Sequence, residues 1–221
     1  ALICFELMWV KNISPNGSTF AFILKACGSI GAMKEGTKVH SEIVRKGLLE
    51  DDFVLGGALI DMYTHYGSLE KAQEIFNSLC VQNVNSWNAL IVGYMKNEHE
   101  VVALNCFEQM KREGIFPNMV TFTCILKACG SIGNIKMGKE IHNEIKKKRL
   151  LEKDSMLGSV LVDMYGKCGL LGKAQEIFEG LRVKDIASWS ALIAGYTHNG
   201  LYVEALKCYF KMQNVGISPN E

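Results

Sequence analysis

Two copies of a His-x-Glu triplet, His40-Ser41-Glu42 and His142-Asn143-Glu144, are the residues of this chain that look most like reaction machinery. In a zinc deaminase that triplet supplies a metal ligand and a general acid/base, but a Pro-Cys-x-x-Cys segment downstream must complete the site. No such segment follows either copy. The eight cysteines contain no Cys-x-x-Cys pair, so neither a zinc site nor a thiol redox centre is indicated. His65, His99 and His198 have no partner at ligand spacing, and there is no glycine-rich phosphate loop and no nucleophile elbow. The expectation is a chain that binds and does not catalyse, with no metal and no cofactor.

The spacing of the two triplets leads back to the elements that carry them. They lie 102 residues apart, and the same offset maps ILKACGSIG at 23–31 onto 125–133, KAQEIF at 71–76 onto 173–178, SWNALI at 86–91 onto SWSALI at 188–193, and GIFPN at 114–118 onto GISPN at 216–220. A residue repeated in register serves packing between units before it serves chemistry. Each unit of such an array buries its apolar face only against its neighbours. The cysteines fit: Cys4, Cys106 and Cys208 occupy one repeat position and Cys27 and Cys129 another, as buried thiols between helices in a reducing compartment. The formal net charge of +1 provides no general attraction to nucleic acid, so any such binding must come from a local groove. No apolar run reaches the ~18 residues of a membrane span, and no signal segment opens the chain. Residues 1–16 align with 205–220, so the sequence starts inside a repeat and reads as an excerpt of a longer protein.

Within the period three unequal units follow one another, 17–52, 53–83 and 84–118, then 119–154, 155–185 and 186–220. Each carries two helical stripes. Trp87, Leu90, Ile91 and Tyr94 fall on one helical face, Ala103, Leu104, Phe107 and Met110 on a second, with a short polar turn between. Leu24 with Cys27 and Val39 with Ile43, and Leu59, Ile60 and Tyr63 with Ala72, Ile75 and Phe76, repeat the plan. Gly114 suits a helix C-terminus and Pro117 prevents continuation. The spacing predicts an all-α, right-handed superhelical solenoid of antiparallel helix pairs, the first helix of each pair lining the concave surface.

A 34-residue tetratricopeptide unit is the natural competitor, but the residues point elsewhere. The 84–118 unit has Trp87-Asn88 early, Phe107-x-x-Met110 late in its second helix and a terminal Gly-Ile-x-Pro-Asn. The 17–52 unit has LKAC and Gly36-x-x-x-His40, repeated as Gly138-x-x-x-His142, and the short units have ALIDMY and VLVDMY. The chain resembles a pentatricopeptide repeat protein of the plant subclass that alternates standard, long and short motifs, in the order long, short, standard, twice, after a partial standard motif at 1–16. The resemblance covers the whole chain.

It implies sequence-specific binding of single-stranded RNA in mitochondria or chloroplasts, one base per motif and parallel to the chain, by a monomer that does not touch membranes. Members of the subclass mostly specify sites of C-to-U editing, with editing factors or a deaminase acting in trans. In the family the fifth and last residues of a motif choose the base. Here they are Ala21 and Asp52, Gly57 and Asn83, Asn88 and Asn118, Thr123 and Asp154, Ser159 and Asp185, and Ser190 and Asn220. An aspartate can only accept, which suits the imino N–H of guanine or uracil, whereas an asparagine amide can donate to a ring nitrogen of adenine or cytosine. By the family rule, Asn88 with Asn118 selects a pyrimidine, C over U, Ser159 with Asp185 guanine, and Ser190 with Asn220 adenine. Thr123 with Asp154 also spells guanine, while Ala21 and Gly57 assign no base. The second residues, aliphatic wedges in the family, are Val54, Val120 and Met156, with Ala187 a smaller one; Ser18 and Asn85 depart from the pattern.

Several of these residues have a plainer reading as well. Asn88 could be a polar residue on an exposed helix start, and Asp52 and Asp154 could be N-caps of the following helices, a role compatible with RNA contact. The run Lys146-Lys147-Lys148-Arg149 could hold phosphates, or simply complement a helix dipole. A helical-repeat scaffold for protein partners is the alternative function.

Overall fold

The computed structural model describes residues 2–11, 13–49, 53–152 and 155–218, and no strand occurs among them. Asp52, Asp154 and Asn220 lie outside the described residues. The chain divides into two compact units, Ala1–Asn118 and Met119–Glu221, at the boundary between the two sequence periods.

The first unit contains α1 (Leu2–Val10), α2 (Gly17–Ile30), α3 (Met33–Arg45), α4 (Phe53–His65), α5 (Leu69–Ser78), α6 (Val84–Lys96) and α7 (Glu100–Arg112). The first helices α2, α4 and α6 pack in series, and each also packs on its own second helix, α3, α5 or α7. Local chemistry sets the ends. At the start of α6, Asn83 and Ser86 form a reciprocal capping box. At the end of α7, Gly114 adopts φ 75° while Ile115 N–H donates to the Met110 carbonyl at 3.0 Å and Gly114 N–H to Lys111 at 3.1 Å. This is the Schellman arrangement, which satisfies carbonyls the helix leaves open. Both expected stripes are buried: Trp87, Leu90, Ile91 and Tyr94 on α6, and Ala103, Leu104, Phe107 and Met110 on α7. Each fully buried large apolar side chain contributes about 1.5–3 kcal/mol, so the stacking stabilises helices too short to persist alone.

The second unit contains α8 (Met119–Ile132), α9 (Ile135–Lys147), a 3-10 turn (Leu150–Glu152), α10 (Ser155–Lys167), α11 (Leu171–Gly180), α12 (Ile186–His198) and α13 (Tyr202–Asn214). Its first helices α8, α10 and α12 pack in series as in the first unit. The same staples recur. Trp87 meets Phe76 edge-on at 4.5 Å between ring centroids, and Trp189 meets Phe178 at 4.6 Å. Tyr94 Oη donates to Gln73 Oε1 at 2.9 Å, as Tyr196 does to Gln175. Asn97 Nδ2 donates to the Thr64 and Gly93 carbonyls, tying the ends of adjacent first helices, and Asn199 does the same to Gly166 and Gly195.

Candidate nucleic-acid interface

The second and fifth residues of each motif lie three apart in the first turn of a first helix, and therefore share one face. The second residues project outward: Val54 is 65% exposed, Met156 57% and Val120 49%. Ala187, Ser18 and Asn85 are exposed too, so all six second positions stand at the surface, three of them as large aliphatic side chains.

The fifth positions differ. Asn88 and Ser159 are buried, at 8% and 6%, whereas Ala21, Gly57 and Thr123 are half-buried and Ser190 is exposed. Asn88 is thus not the exposed helix-start residue of its plainer reading. Its Nδ2 donates to Oδ1 of Asn118 at 3.0 Å, joining the fifth and last residues of one motif across its helix pair. In the short motif of the second unit, Ser159 Oγ stands 3.4 Å from Asp185 Oδ1, a long contact for a hydroxyl donor.

The last residues also build the next first helix. Asn83 Oδ1 accepts from Asn85 N–H at 2.8 Å and Ser86 N–H at 3.1 Å, and Asp185 Oδ1 accepts from Ser188 N–H at 2.9 Å. Asn16 caps α2 in the same way, accepting from Thr19 N–H at 2.9 Å. Capping was expected at Asp52 and Asp154, which are not among the described residues, and was missed at Asn16, Asn83 and Asp185. The Asn/Asp-x-x-Ser/Thr spacing at all three was a usable signal. Capping occupies Oδ1 and leaves the second atom of each head group: the Nδ2 donor of Asn83 and the Oδ2 acceptor of Asp185, neither hydrogen-bonded among the described residues. The base-reading chemistry requires those atoms, a donor from asparagine and an acceptor from aspartate.

The two His-x-Glu triplets sit elsewhere. His40 Nδ1 lies 2.9 Å from Tyr63 Oη and His142 Nδ1 3.0 Å from Tyr165 Oη, each on a second helix facing the following motif's first helix. One turn earlier, a Cβ on Gly36 would fall 2.5 Å from Met62 Sδ, and one on Gly138 2.8 Å from Met164 Sδ. Gly-x-x-x-His and Asp-Met-Tyr are therefore two halves of one packing contact, the glycine admitting the methionine and the histidine meeting the tyrosine. Glu42 is bonded by the Arg45 guanidinium, which holds its carboxyl below the usual range. Burial lowers the affinity of both histidines for a proton, and no group of three or more His, Cys, Asp or Glu among the described residues is placed to hold a metal. Cys27, Cys106 and Cys129 are buried as expected, and burial pushes the last two thiols up to about 11 and about 12; Cys208, expected to be buried like Cys106, is only half-buried on α13, the last described helix, the Cys4 side chain lies outside the described residues, and Cys80, outside the repeat positions, is exposed.

Four repeats of the chain, residues 57–84, 120–150, 159–186 and 187–217, match the model of the PPR repeat, and residues 82–131 match that of the PPR repeat family. Pentatricopeptide repeat-containing protein At5g16860 of Arabidopsis thaliana is 36% identical over 213 residues, 96% of this chain and 25% of that protein. The mitochondrial pentatricopeptide repeat-containing protein At1g06140 of the same plant is 34% identical over 98% of this chain and 38% of its own length, and the chloroplastic At4g18520 is 34% identical over 100% and 36%. The chain thus spans only about a quarter to two fifths of these relatives. Among solved structures, the pentatricopeptide repeat protein PPR10 in complex with an 18-nt psaJ RNA element superposes with a TM-score of 0.80 at 21% identity, over 97% of this chain and 32% of that one. The nuclear proteinaceous RNase P 2 of A. thaliana gives 0.57 at 12% identity, over 81% and 41%. The all-α solenoid fold expected from the periodicity is the fold of these neighbours, and the repeat models place the chain in the pentatricopeptide repeat family.

Proposed function

We propose that this chain is the sequence-reading part of a single-stranded RNA-binding protein, without catalytic activity of its own. Its motifs run 17–52, 53–83, 84–118, 119–154, 155–185 and 186–220, the alternation of the long, short and standard subclass, and each motif faces one base. The observation that carries this reading is the bonded pair Asn88–Asn118: the fifth and last residues of one motif are brought together beforehand. The exposed second residues Val54, Val120 and Met156 supply apolar faces between which bases can stack. The RNA complex of PPR10 supports the same use of the fold.

On this reading Asn88 and Asn118 take cytosine over uracil, through donation to cytosine N3. Ser159 and Asp185 take guanine, the free Oδ2 of Asp185 accepting from guanine N1–H. Ser190 with Asn220 takes adenine, and Thr123 with Asp154 guanine, as the family rule has it. Ala21 with Asp52 and Gly57 with Asn83 discriminate least. The parent protein works as a monomer in mitochondria or chloroplasts, where relatives of both designations occur, and directs C-to-U editing by a deaminase fused to it or recruited in trans.

Equilibrium binding tests the proposal. A short RNA containing the pyrimidine, G, G, A address is compared with one whose purines are exchanged for pyrimidines, and with the DNA equivalent. The matched RNA binds most tightly, and Asn118→Asp moves the preference at its base from C to U, because a carboxylate faces uracil N3–H but repels cytosine N3. Equal weak binding of all three, unaffected by the substitution, overturns the proposal in favour of a protein-docking scaffold.

A further inference from the structure

We propose that the second long motif carries a phosphate anchor that the first lacks: the Lys146-Lys147-Lys148-Arg149 run grips the backbone of the RNA read by the same unit. The inference rests on the RNA-binding proposal above and deepens it.

The run occupies the last turn of α9 and the two residues beyond, at the edge where the base-reading residues begin. Lys148 Nζ lies 5.3 Å from the centre of the Phe122 ring, and Phe122 stands in the first turn of α8 between Val120 and Thr123. The end of the second helix therefore abuts the first turn of its own motif's first helix, the turn that carries the second and fifth residues. Lys148 is committed, paired with Glu144 at 2.7 Å. Lys146, Lys147 and Arg149 are exposed and form no ion pair among the described residues. Lys146 acts on Glu176 of α11 only through its charge, and that carboxylate is itself paired with Lys173 at 2.6 Å.

Comparison with the first copy separates this from routine helix-end chemistry. The equivalent residues are Val44, Arg45, Lys46 and Gly47, and both charges there are tied to Glu42. Two basic residues already suffice to complement the helix dipole. The second copy adds two more, and one comes against a conformational penalty. Arg149 sits at φ 51°, where the first copy has Gly47 at φ 66°, in the left-handed region that disfavours any residue with a Cβ. The chain thus keeps a cation at a position where glycine would cost less, which fits a use of Arg149 outside the packing of the fold.

The test is the salt dependence of RNA binding, since each phosphate neutralised on a single strand contributes about 0.7 to the slope of log K against log salt. Lys146→Val with Arg149→Gly restores the residues of the first copy, which folds with them in this same protein. That double variant has a slope smaller than wild type by about 1.4, so wild type loses about sevenfold more affinity between about 50 and about 200 mM salt. Its preference for the matched RNA is unchanged, because phosphate contacts do not read sequence. Arg149→Gly alone raises the melting temperature while lowering the slope. Lys136→Gln with Lys139→Gln, two exposed charges at the far end of α9, leaves the slope as it was. An unchanged slope in Lys146→Val/Arg149→Gly, with matched RNA still bound selectively, overturns the anchor and spares the function. An equal loss in the far-end variant also overturns it, in favour of diffuse charge. If wild type binds no RNA selectively, the function and the anchor fall together.

Discussion

Gly93, in the last turn of α6, lies against Thr64 of α4, where two first helices of the first unit pack. A Cβ built there falls 2.2 Å from Thr64 Cγ2 and 2.6 Å from Thr64 Cβ, on the adjoining helix α4. Rotation of the threonine relieves the first contact but not the second, because Cβ is fixed to the α4 backbone. Gly93→Ala must therefore push the helices apart and strain the Asn97 bonds to Thr64 and Gly93. Over-packing of this sort costs about 1–3 kcal/mol, against about 0.5–1 kcal/mol recovered from replacing glycine by alanine within a helix. The net is a loss of up to about 2.5 kcal/mol. Gly57, in α4, is the internal reference: a Cβ there meets nothing within 4 Å, so Gly57→Ala is stabilising by about 0.5–1 kcal/mol. Urea unfolding followed by far-ultraviolet circular dichroism, with Trp87 fluorescence as a probe of α6 in a background where Trp9 and Trp189 are replaced by Phe, measures both. A midpoint for Gly93→Ala as high as that for Gly57→Ala refutes the close-approach reasoning. Thr64→Gly in the Gly93→Ala background removes the clashing carbon. The double variant is then more stable than the sum of the single effects by at least about 1 kcal/mol. The second unit shows the alternative solution, with Gly195 against Gly166 and a Cβ on Gly166 falling 2.9 Å from Gly195 Cα.

Three other outcomes follow from the same geometry. Glu98 holds φ 62° where the second copy has Gly200 at φ 75°, so Glu98→Gly stabilises the chain by up to about 1 kcal/mol in the same urea assay, although glycine ordinarily costs stability. Burial lowers the pKa of His40 and His142 in the folded state below the ordinary 6.5, so between the two values the unfolded chain binds protons that the folded chain refuses. Stability is then level above about pH 6.5 and falls as the pH drops below it, and His40→Gln with His142→Gln flattens that fall in acid titrations. Among the described cysteines, iodoacetamide at neutral pH alkylates exposed Cys80 well before Cys106 and Cys129, whose thiols burial pushes up to about 11 and about 12; peptide mass spectrometry reads the order.

Most of the fold was legible in the chain because a repeat states its packing rules twice. Trp87, Leu90, Ile91 and Tyr94 announce a buried helix face by spacing, and their recurrence 102 residues later confirms that the face meets a neighbour and not a substrate. The pairing of Gly36 with Met62 and of His40 with Tyr63 was not legible, although each motif was visible. Sequence spacing describes one helix, and these contacts join residues more than twenty positions apart on two.

The candidate site divides along the same line. Which residue types stand at the fifth and last positions of each motif, and hence whether a donor or an acceptor is offered, is a property of the chain alone, since it is the chemistry of Asn, Asp, Ser and Thr head groups. Tertiary structure decided which atom of each head group remains for a ligand. Asn83 and Asp185 spend Oδ1 on the first turn of the next helix, so capping selects the outward atom, and Asn118 turns its Oδ1 to Asn88. It also decided that Arg149 completes a charged helix end beside Phe122 and the first turn of α8, an adjacency made only when the antiparallel partner returns to the edge from which α8 began.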